Sequence, residues 1–496
     1  MVVSIRQTVR LALLALPSLA MFSLATADTR AETPRRLPPP VAADPCTETV
    51  YPVTAASYLT PASFDEPAPI VESLQPVALE ASLEPPQLAS GPDYELGALF
   101  DKGVFIRSTD LEERPTALYI GARFQLRHTA FTRDNETWTD QAGVTRTIRN
   151  RNNFDSERLR LNLSGTALDP NLTYYIIFDG DADGGSNVDQ LAYIFTYEIA
   201  PQLKVRMGRW KAASDREWLM SSRFFRMVDR SLATEYFRAG FTDGVWLLGD
   251  LGDAWHYEAS LTNGLRTSTR RAFDLDDNFG VAATFYVDPL GSYGPGEQDY
   301  AYHCTPVVRL GGSVAFDKSD DRSDAGFPLG DDGFLRLSDG TRLSDVGALA
   351  PGVRLLGDRV LKGSVDWGVK YRGWSFSGEY FVRSIHDLVA DGALPVEELY
   401  DYGFHVAGGV FLRPKRFDVN ARMSQVSGLF GDGFEYSLGC NYYWGNGKRD
   451  GKLADRVNKW SFDVAEIKGS PTSSTPADYL AGDDGVMFRT QVQIGF

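Results

Sequence analysis

Beyond its N-terminus, the chain has no apolar run of the roughly 20 residues that a membrane-spanning helix needs. The N-terminus itself carries two arginines, an apolar run from Leu11 to Leu24, and the small residues Ala25-Thr26-Ala27. This pattern is typical of a cleaved secretory signal peptide, which we predict over residues 1–27. If the mature chain enters a membrane, it must do so as a closed β-barrel, because only helices and barrels satisfy every backbone hydrogen bond in lipid.

The chain is also poor in cysteine and histidine, and it lacks an excess of positive charge. Its three cysteines lie far apart, and no cluster with the five histidines has metal-site spacing, so neither a disulfide framework nor a metal site is predicted. No serine near the histidines shows a nucleophile motif, so we predict no catalytic residue, no cofactor and no enzyme activity. The formal net charge of −16 argues against nucleic acid as a partner.

Residues 28–95 have little that could form a core. They contain thirteen of the 26 prolines, few aromatic residues and more acidic than basic residues. A chain of this composition cannot bury enough apolar surface to fold. We predict a Pro-rich, disordered periplasmic tether, and a segment that binds the cell wall or another partner is the alternative.

From residue 96 onward, apolar and polar residues alternate in short segments that are separated by turn residues. Sixteen such segments can be counted up to the C-terminal Phe496, one of them at 236–249. Short turns alternate with long connections, of which 318–362 is interpreted as a solvated surface loop, with a lid or a trimer contact as the alternatives. Residues 96–496 are therefore predicted to form an all-β, transmembrane antiparallel β-barrel of about 16 strands in the outer membrane, in contact with its lipid.

The alternation also predicts which charged side chains point into the barrel. On the first, second and fifth strands the apolar residues share the lipid face, so the basic residues between them face the lumen. These lumenal cations are Arg123, Arg127, Arg158, Arg160, Lys204 and Arg206. A net-acidic protein is thus predicted to have a basic inner strip.

Several motifs between Ser156 and Gly249 resemble the phosphate-selective porin O and P family. They are Arg158-Leu159-Arg160-Leu161, Val205-Arg206-Met207-Gly208-Arg209-Trp210-Lys211, Ser221-Ser222 and Asp229-Arg230-Ser231. The resemblance implies a sixteen-stranded, trimeric outer-membrane channel whose third long loop folds into the lumen. This sequence departs from the family at Leu191, where the family has Asp, and at Ala212-Ala213-Ser214, so phosphate specificity stays open.

The third loop, about 211–232, adds further cations to the lumenal set. The predicted pore-lining and anion-binding residues are Arg123, Arg127, Arg158, Arg160, Lys204, Arg206, Lys211, Arg216, Arg223 and Arg226. Guanidinium groups suit this role because they stay charged and present a planar fork to oxyanions. We predict a porin through which small hydrophilic solutes diffuse passively, with a preference for anions and phosphate as one candidate. The alternatives are a structural barrel tethered to the cell wall and a secreted, soluble all-β protein.

One further motif, Asp179-Gly180-Asp181-Ala182-Asp183-Gly184, is similar to the start of an EF-hand calcium loop. Its twelfth position is Gln190 instead of Glu, and predicted strands flank it. We interpret it as a solvated loop between strands, with weak calcium binding as the alternative.

Protease treatment of the folded protein in detergent tests the predicted domain organisation. Because a disordered tether is accessible to protease and a closed barrel is not, we expect cleavage within residues 28–95 and a resistant fragment that begins near residue 96. A protected fragment that begins well before residue 90 would contradict the tether.

Overall fold

The computed structural model describes residues 94–99, 103–111, 115–180, 188–267, 275–320, 335–444 and 458–496. The predicted signal peptide and nearly all of the predicted tether, residues 1–93, lie outside the described residues. The same holds for residues 181–187 of the motif that is similar to an EF-hand.

The described residues form mainly β-strands. The strands are β1 (Tyr94–Leu99), β2 (Gly103–Ser108), β3 (Ala117–Arg133), β4 (Thr137–Thr139), β5 (Thr145–Thr147), β6 (Arg151–Ala167), β7 (Asp169–Asp179), β8 (Asp189–Ala200), β9 (Leu203–Lys211), β10 (Phe241–Leu251), β11 (Trp255–Thr262), β12 (Gly280–Val287), β13 (Val307–Ser319), β14 (Leu355–Tyr371), β15 (Trp374–Ala390), β16 (Leu399–Arg413), β17 (Phe417–Gly428), β18 (Gly431–Tyr443), β19 (Lys459–Lys468) and β20 (Gly485–Gly495). Two short α-helices, α1 (Arg216–Leu219) and α2 (Leu232–Phe237), lie between β9 and β10. Among the described residues, no helix is long and apolar enough to cross a membrane.

Sixteen of the strands, β3 and β6 to β20, form one closed antiparallel barrel. Each strand pairs with the next along the chain, and β20 pairs back with β3, where Gln493 lies opposite Gln125. The C-terminal residue extends this seam, because the amide of Phe496 donates to the carbonyl oxygen of Ala122. Closure gives each of these strands two hydrogen-bonded neighbours, as lipid requires. The predicted fold class is confirmed.

The side chains alternate between an apolar outer face and a polar inner face. On β3, Leu126 is 54% exposed on the outside, whereas Arg127 is 1% exposed on the inside. Leu161 on β6 and Val365 on β14 likewise point outward. Because an apolar band around a closed barrel matches the hydrocarbon of a bilayer, this exterior is that of a transmembrane barrel.

Strands β1 and β2 form a hairpin that lies outside the closed ring. Strand β2 pairs with the first residues of β3, so that Val104 lies opposite Ile120, on the edge that β20 leaves open. Leu96 lies opposite Ile106, and both continue the apolar outer face of β3. The sequence analysis did not predict this hairpin, and β1 includes the last two residues of the predicted tether.

Three local predictions were wrong. The strand predicted at 236–249 begins only at Phe241, because Ser231 caps the buried helix α2 just before it. The segment 318–362 is not simply a solvated loop, because Leu335, Leu337 and Leu343 are buried against β14 and β15 and strand β14 begins at Leu355. Cys304 takes part in a disulfide bond, which the sequence analysis did not predict.

Replacing an outward-facing leucine in the middle of a strand tests the lipid-facing assignment. We expect Leu161→Arg to lower the free energy of unfolding in lipid vesicles by about 2–4 kcal/mol, because its charge would lie in hydrocarbon. The control is Leu168→Arg in the turn between β6 and β7, where the side chain is 90% exposed and a change of about 0–1 kcal/mol is expected. Equal effects of the two replacements would contradict the assignment.

Candidate functional site

The connection between β9 and β10, residues 212–240, crosses the lumen and contacts opposite walls of the barrel. This third loop folds inward, as the family resemblance implied, and its helices α1 and α2 are largely buried. On one side it contacts β3 and β6, and on the other it contacts β15 to β18. The loop therefore narrows the lumen between these two walls, and we call this narrow part of the barrel the constriction.

Toward β3 and β6, the loop is held by the carboxylate of Asp229, which is fully buried. Arg127 Nη2 lies 2.6 Å from Asp229 Oδ2, and Arg158 Nη1 and Nη2 both lie 3.0 Å from the same oxygen. Burial alone would raise the pKa of this loop carboxyl, but the guanidiniums of Arg158 and Arg127 hold it below its ordinary value. Asp229 is therefore ionised and ties the loop to two arginines of the barrel wall.

Toward the opposite wall, acidic side chains of the barrel accept hydrogen bonds from backbone amides of the loop. Glu379 on β15 accepts from the amide of Arg216 at 2.9 Å, at the start of α1. Glu435 on β18 accepts from the amide of Leu232 at 2.8 Å, at the start of α2. Helix N-termini leave such amides without partners inside the helix and attract negative charge. Glu379 and Glu435 therefore position the loop's two helices.

Two further segments enter the lumen and contact the third loop. The turn 288–306 comes from the rim of short connections, and its Gln298 side chain donates to the carbonyl of Phe225 at 3.0 Å. The loop 469–484 comes from the opposite rim, where Ser474 Oγ donates to Glu235 Oε2 at 2.5 Å. The constriction is thus built by loops from both ends of the barrel.

The cations predicted from strand parity and from the third loop lie inside the barrel, and most contact carboxylates. Besides Arg127 and Arg158, the ion pairs are Arg160 with Asp179 (2.7 Å), Lys204 with Glu198 (3.0 Å), Arg206 with Glu258 (3.3 Å) and Arg216 with Asp366 (3.4 Å). Because an ion pair cancels much of the field of its cation, these groups are weaker attractors of anions than bare arginines.

Three of the remaining predicted cations donate to neutral oxygens. Arg123 donates to Ser221 Oγ at 3.2 Å, and Lys211 donates to the carbonyls of Trp218, Leu219 and Met220. Arg226 donates to Ser375 Oγ at 3.0 Å and to Asn420 Oδ1 at 3.4 Å. Arg223 is half-buried beside the seam, where its carbonyl accepts from Gln493.

The sequence analysis missed the buried Glu157, whose Oε2 lies 3.3 Å from Arg127 Nη1. Strict alternation would place Glu157 opposite to Arg158, on the lipid face. A β-bulge interrupts the pairing at this point, because Arg158 lies opposite Gln125 while Ser156 lies opposite Leu126. The extra residue lets two consecutive side chains turn inward. No feature of the sequence marks this bulge.

The charged residues of the opposite wall were missed for a different reason. Glu379, Glu435 and Asp463 occupy inward positions that the same parity rule could have predicted. We applied that rule only to basic residues of three strands, so these acids were left out, together with Arg422 and Arg489, which pair with Glu435 and Asp463.

The closed barrel, its apolar exterior and its inward loop define the class of this chain: it is an outer-membrane β-barrel. A soluble all-β protein does not fit this exterior.

No protein-family model matches the chain, and no curated protein is similar to it. Among solved structures, an anion-selective porin from Comamonas acidovorans superimposes with a TM-score of 0.47 at 12% identity, over 76% of this chain and 99% of that one. The channel DcaP of Acinetobacter baumannii gives 0.46 at 10% identity, over 76% and 97%. Pseudomonas putida OprB gives 0.45 at 10% identity, over 76% and 94%. Membership of the phosphate-selective porin family stays a prediction, and the function of this chain has to come from its own residues.

Replacing Asp229 tests whether its carboxylate holds the loop in place. We expect Asp229→Asn to lower the free energy of unfolding by about 3–5 kcal/mol, because Arg127 and Arg158 would lose their shared buried partner. Equilibrium unfolding in urea, with the protein in detergent micelles, measures this loss.

The control is Asp243→Asn, which removes the partner of Arg209 in a pair whose side chains are 28% and 21% exposed. A half-exposed pair contributes about 0–1 kcal/mol, so this variant should be close to the wild type. Similar losses in both variants would mean that Asp229 has no special role.

Proposed function

We propose that this protein is a porin: a passive, non-enzymatic diffusion channel for small hydrophilic solutes, assembled as a homotrimer, with a preference for anions. The observation that carries the proposal is the set of inward cations on β3, β6 and β9. Four of them contact the third loop where it narrows the lumen: Arg123, Arg127, Arg158 and Lys211. Phosphate is one candidate solute, because paired guanidiniums suit oxyanions.

The electrostatic argument for an anion preference rests on individual residues inside the barrel. Ion pairs offset much of the positive charge on β6 and β9, and in the loop the guanidinium of Arg226 donates to neutral oxygens while its amide donates to the carboxylate of Glu297. Charges in a narrow, low-dielectric passage are poorly screened, so the balance between neighbouring cations and carboxylates sets the sign of selectivity there. The net charge of the chain does not set it.

A second candidate function, a structural barrel, is favoured by how far the lumen is filled. The third loop touches both walls, and its side chains Asp229, Leu232 and Thr234 are fully buried. A solute must pass beside this loop or displace it. Folded protein that inserts into bilayers but conducts no ions would support the structural barrel and contradict the channel.

Neutralising two wall arginines tests the anion preference. We expect Arg158→Gln with Arg160→Gln to shift the reversal potential in a salt gradient strongly toward cations, because Asp229 and Asp179 would each lose a guanidinium partner. The shift should shrink as the salt concentration rises, since screening shortens the reach of wall charges. Planar bilayer recordings measure both effects.

The control replaces Arg342 and Arg354, two exposed residues of the connection between β13 and β14, by Gln. It removes the same formal charge far from the constriction, so a much smaller shift is expected. A cation-selective wild type, or equal shifts in the two double variants, would rule out the anion preference and leave the channel itself standing.

A further inference from the structure

Three potential metal ligands from three separate elements meet at the junction of the inward segments. Glu217 lies in α1 of the third loop, Glu297 in the turn 288–306, and His405 on β16; all three are buried, and their ligand atoms lie within 4.8 Å of one another. His405 Nδ1 is 3.6 Å from Glu217 Oε2. Ligands bonded to a single tetrahedral ion at about 2.0–2.2 Å would be only slightly closer together than this pair.

Hydrogen bonds hold these side chains in place before any ion binds. Ser231 donates through its amide and its hydroxyl to Glu217, the hydroxyl at 2.7 Å from Oε2. Glu297 Oε2 accepts from the amide of Arg226 at 3.2 Å. Ser231 Oγ lies 3.2 Å from His405 Nδ1, a contact that an ion bound at that nitrogen would replace. Supporting contacts of this kind orient metal ligands and lower the cost of bringing them together.

The charges around the two carboxylates do not balance among the side chains alone. Three guanidiniums lie near them, but Arg216 is paired with Asp366 at 3.4 Å and Arg422 with Glu435 at 2.6 Å. Arg226 bonds neutral oxygens, and Arg422 approaches Glu217 Oε1 only at 3.7 Å. Two buried carboxylates therefore share one guanidinium that has no other acidic partner among the described residues. An imidazole that binds a metal ion is neutral, so these two carboxylates and one guanidinium would then leave a negative charge that the ion offsets.

We propose that Glu217, Glu297 and His405 bind a divalent transition-metal ion of the zinc type. Two carboxylate oxygens and one imidazole nitrogen are ligands that zinc takes, and water could fill a fourth position. The ion supplies the missing positive charge and ties the third loop to the turn 288–306 and to the barrel wall. The site does not depend on the channel proposed above, since it concerns how the inward segments are held together.

Equilibrium dialysis of the purified, folded protein in detergent at neutral pH, with Zn²⁺ as the probe, tests the site. We expect uptake of about one ion per chain, with Co²⁺ in its place showing the visible spectrum of a low-coordinate nitrogen and oxygen site. Loss of a ligand in His405→Gln or Glu297→Gln should weaken Zn²⁺ binding by at least about 10- to 100-fold. Heat-modifiable migration on gels verifies that each variant is folded.

His386→Gln is the matched control, because His386 lies on the same sheet near Ser384, away from the cluster, and its loss should leave Zn²⁺ uptake unchanged. The proposal is overturned if the folded wild type takes up no Zn²⁺. It is also overturned if His405→Gln and Glu297→Gln bind Zn²⁺ as tightly as the wild type. Uptake is measured without ion conduction, so a failed metal site and a failed channel give different results.

Discussion

The arrangement of the lumen depends on one buried carboxylate, that of Asp229, between two arginines of the barrel wall. A charge removed from water must be paired, and Arg127 and Arg158 are the guanidiniums that Asp229 contacts. This pairing fixes where the third loop crosses the barrel, because the rest of the loop must then follow within reach of both walls. On the opposite wall, Glu379 and Glu435 also hold the loop, because they accept hydrogen bonds from its backbone amides.

Buried ion pairs of this kind add little net stability, because desolvation offsets most of their attraction. What they provide is position: removing either partner leaves an uncompensated charge, so alternative placements of the loop are costly. The apolar exterior and the closed ladder of strands have the separate task of keeping the barrel in lipid. The protein thus separates the interactions that hold it in the membrane from those that shape its interior.

The net charge of the chain is a poor guide to this interior. The chain is acidic overall, at −16, yet buried cations and carboxylates pair inside the barrel, as Arg206 does with Glu258 and Arg422 with Glu435. The electrostatic field inside the barrel depends on these local pairs and not on the net charge of the chain. Glu217, Glu297 and His405 come together where the loop meets the turn 288–306, and this is the junction at which we propose a bound metal ion.

The sequence by itself determined the strands and the face on which most side chains lie, because alternation with a period of two is a local property that each strand carries alone. It predicted the sixteen-stranded barrel and the inward side chains of Arg123 and Arg206 for this reason. Only the tertiary structure decided which charges meet: Arg127 and Asp229 are 102 residues apart, and they come together because the barrel closes and the loop folds back into it. The tertiary structure also decided the bulge at Glu157 and the inward course of 288–306. Each depends on contacts with distant residues and leaves no periodic signal in the sequence.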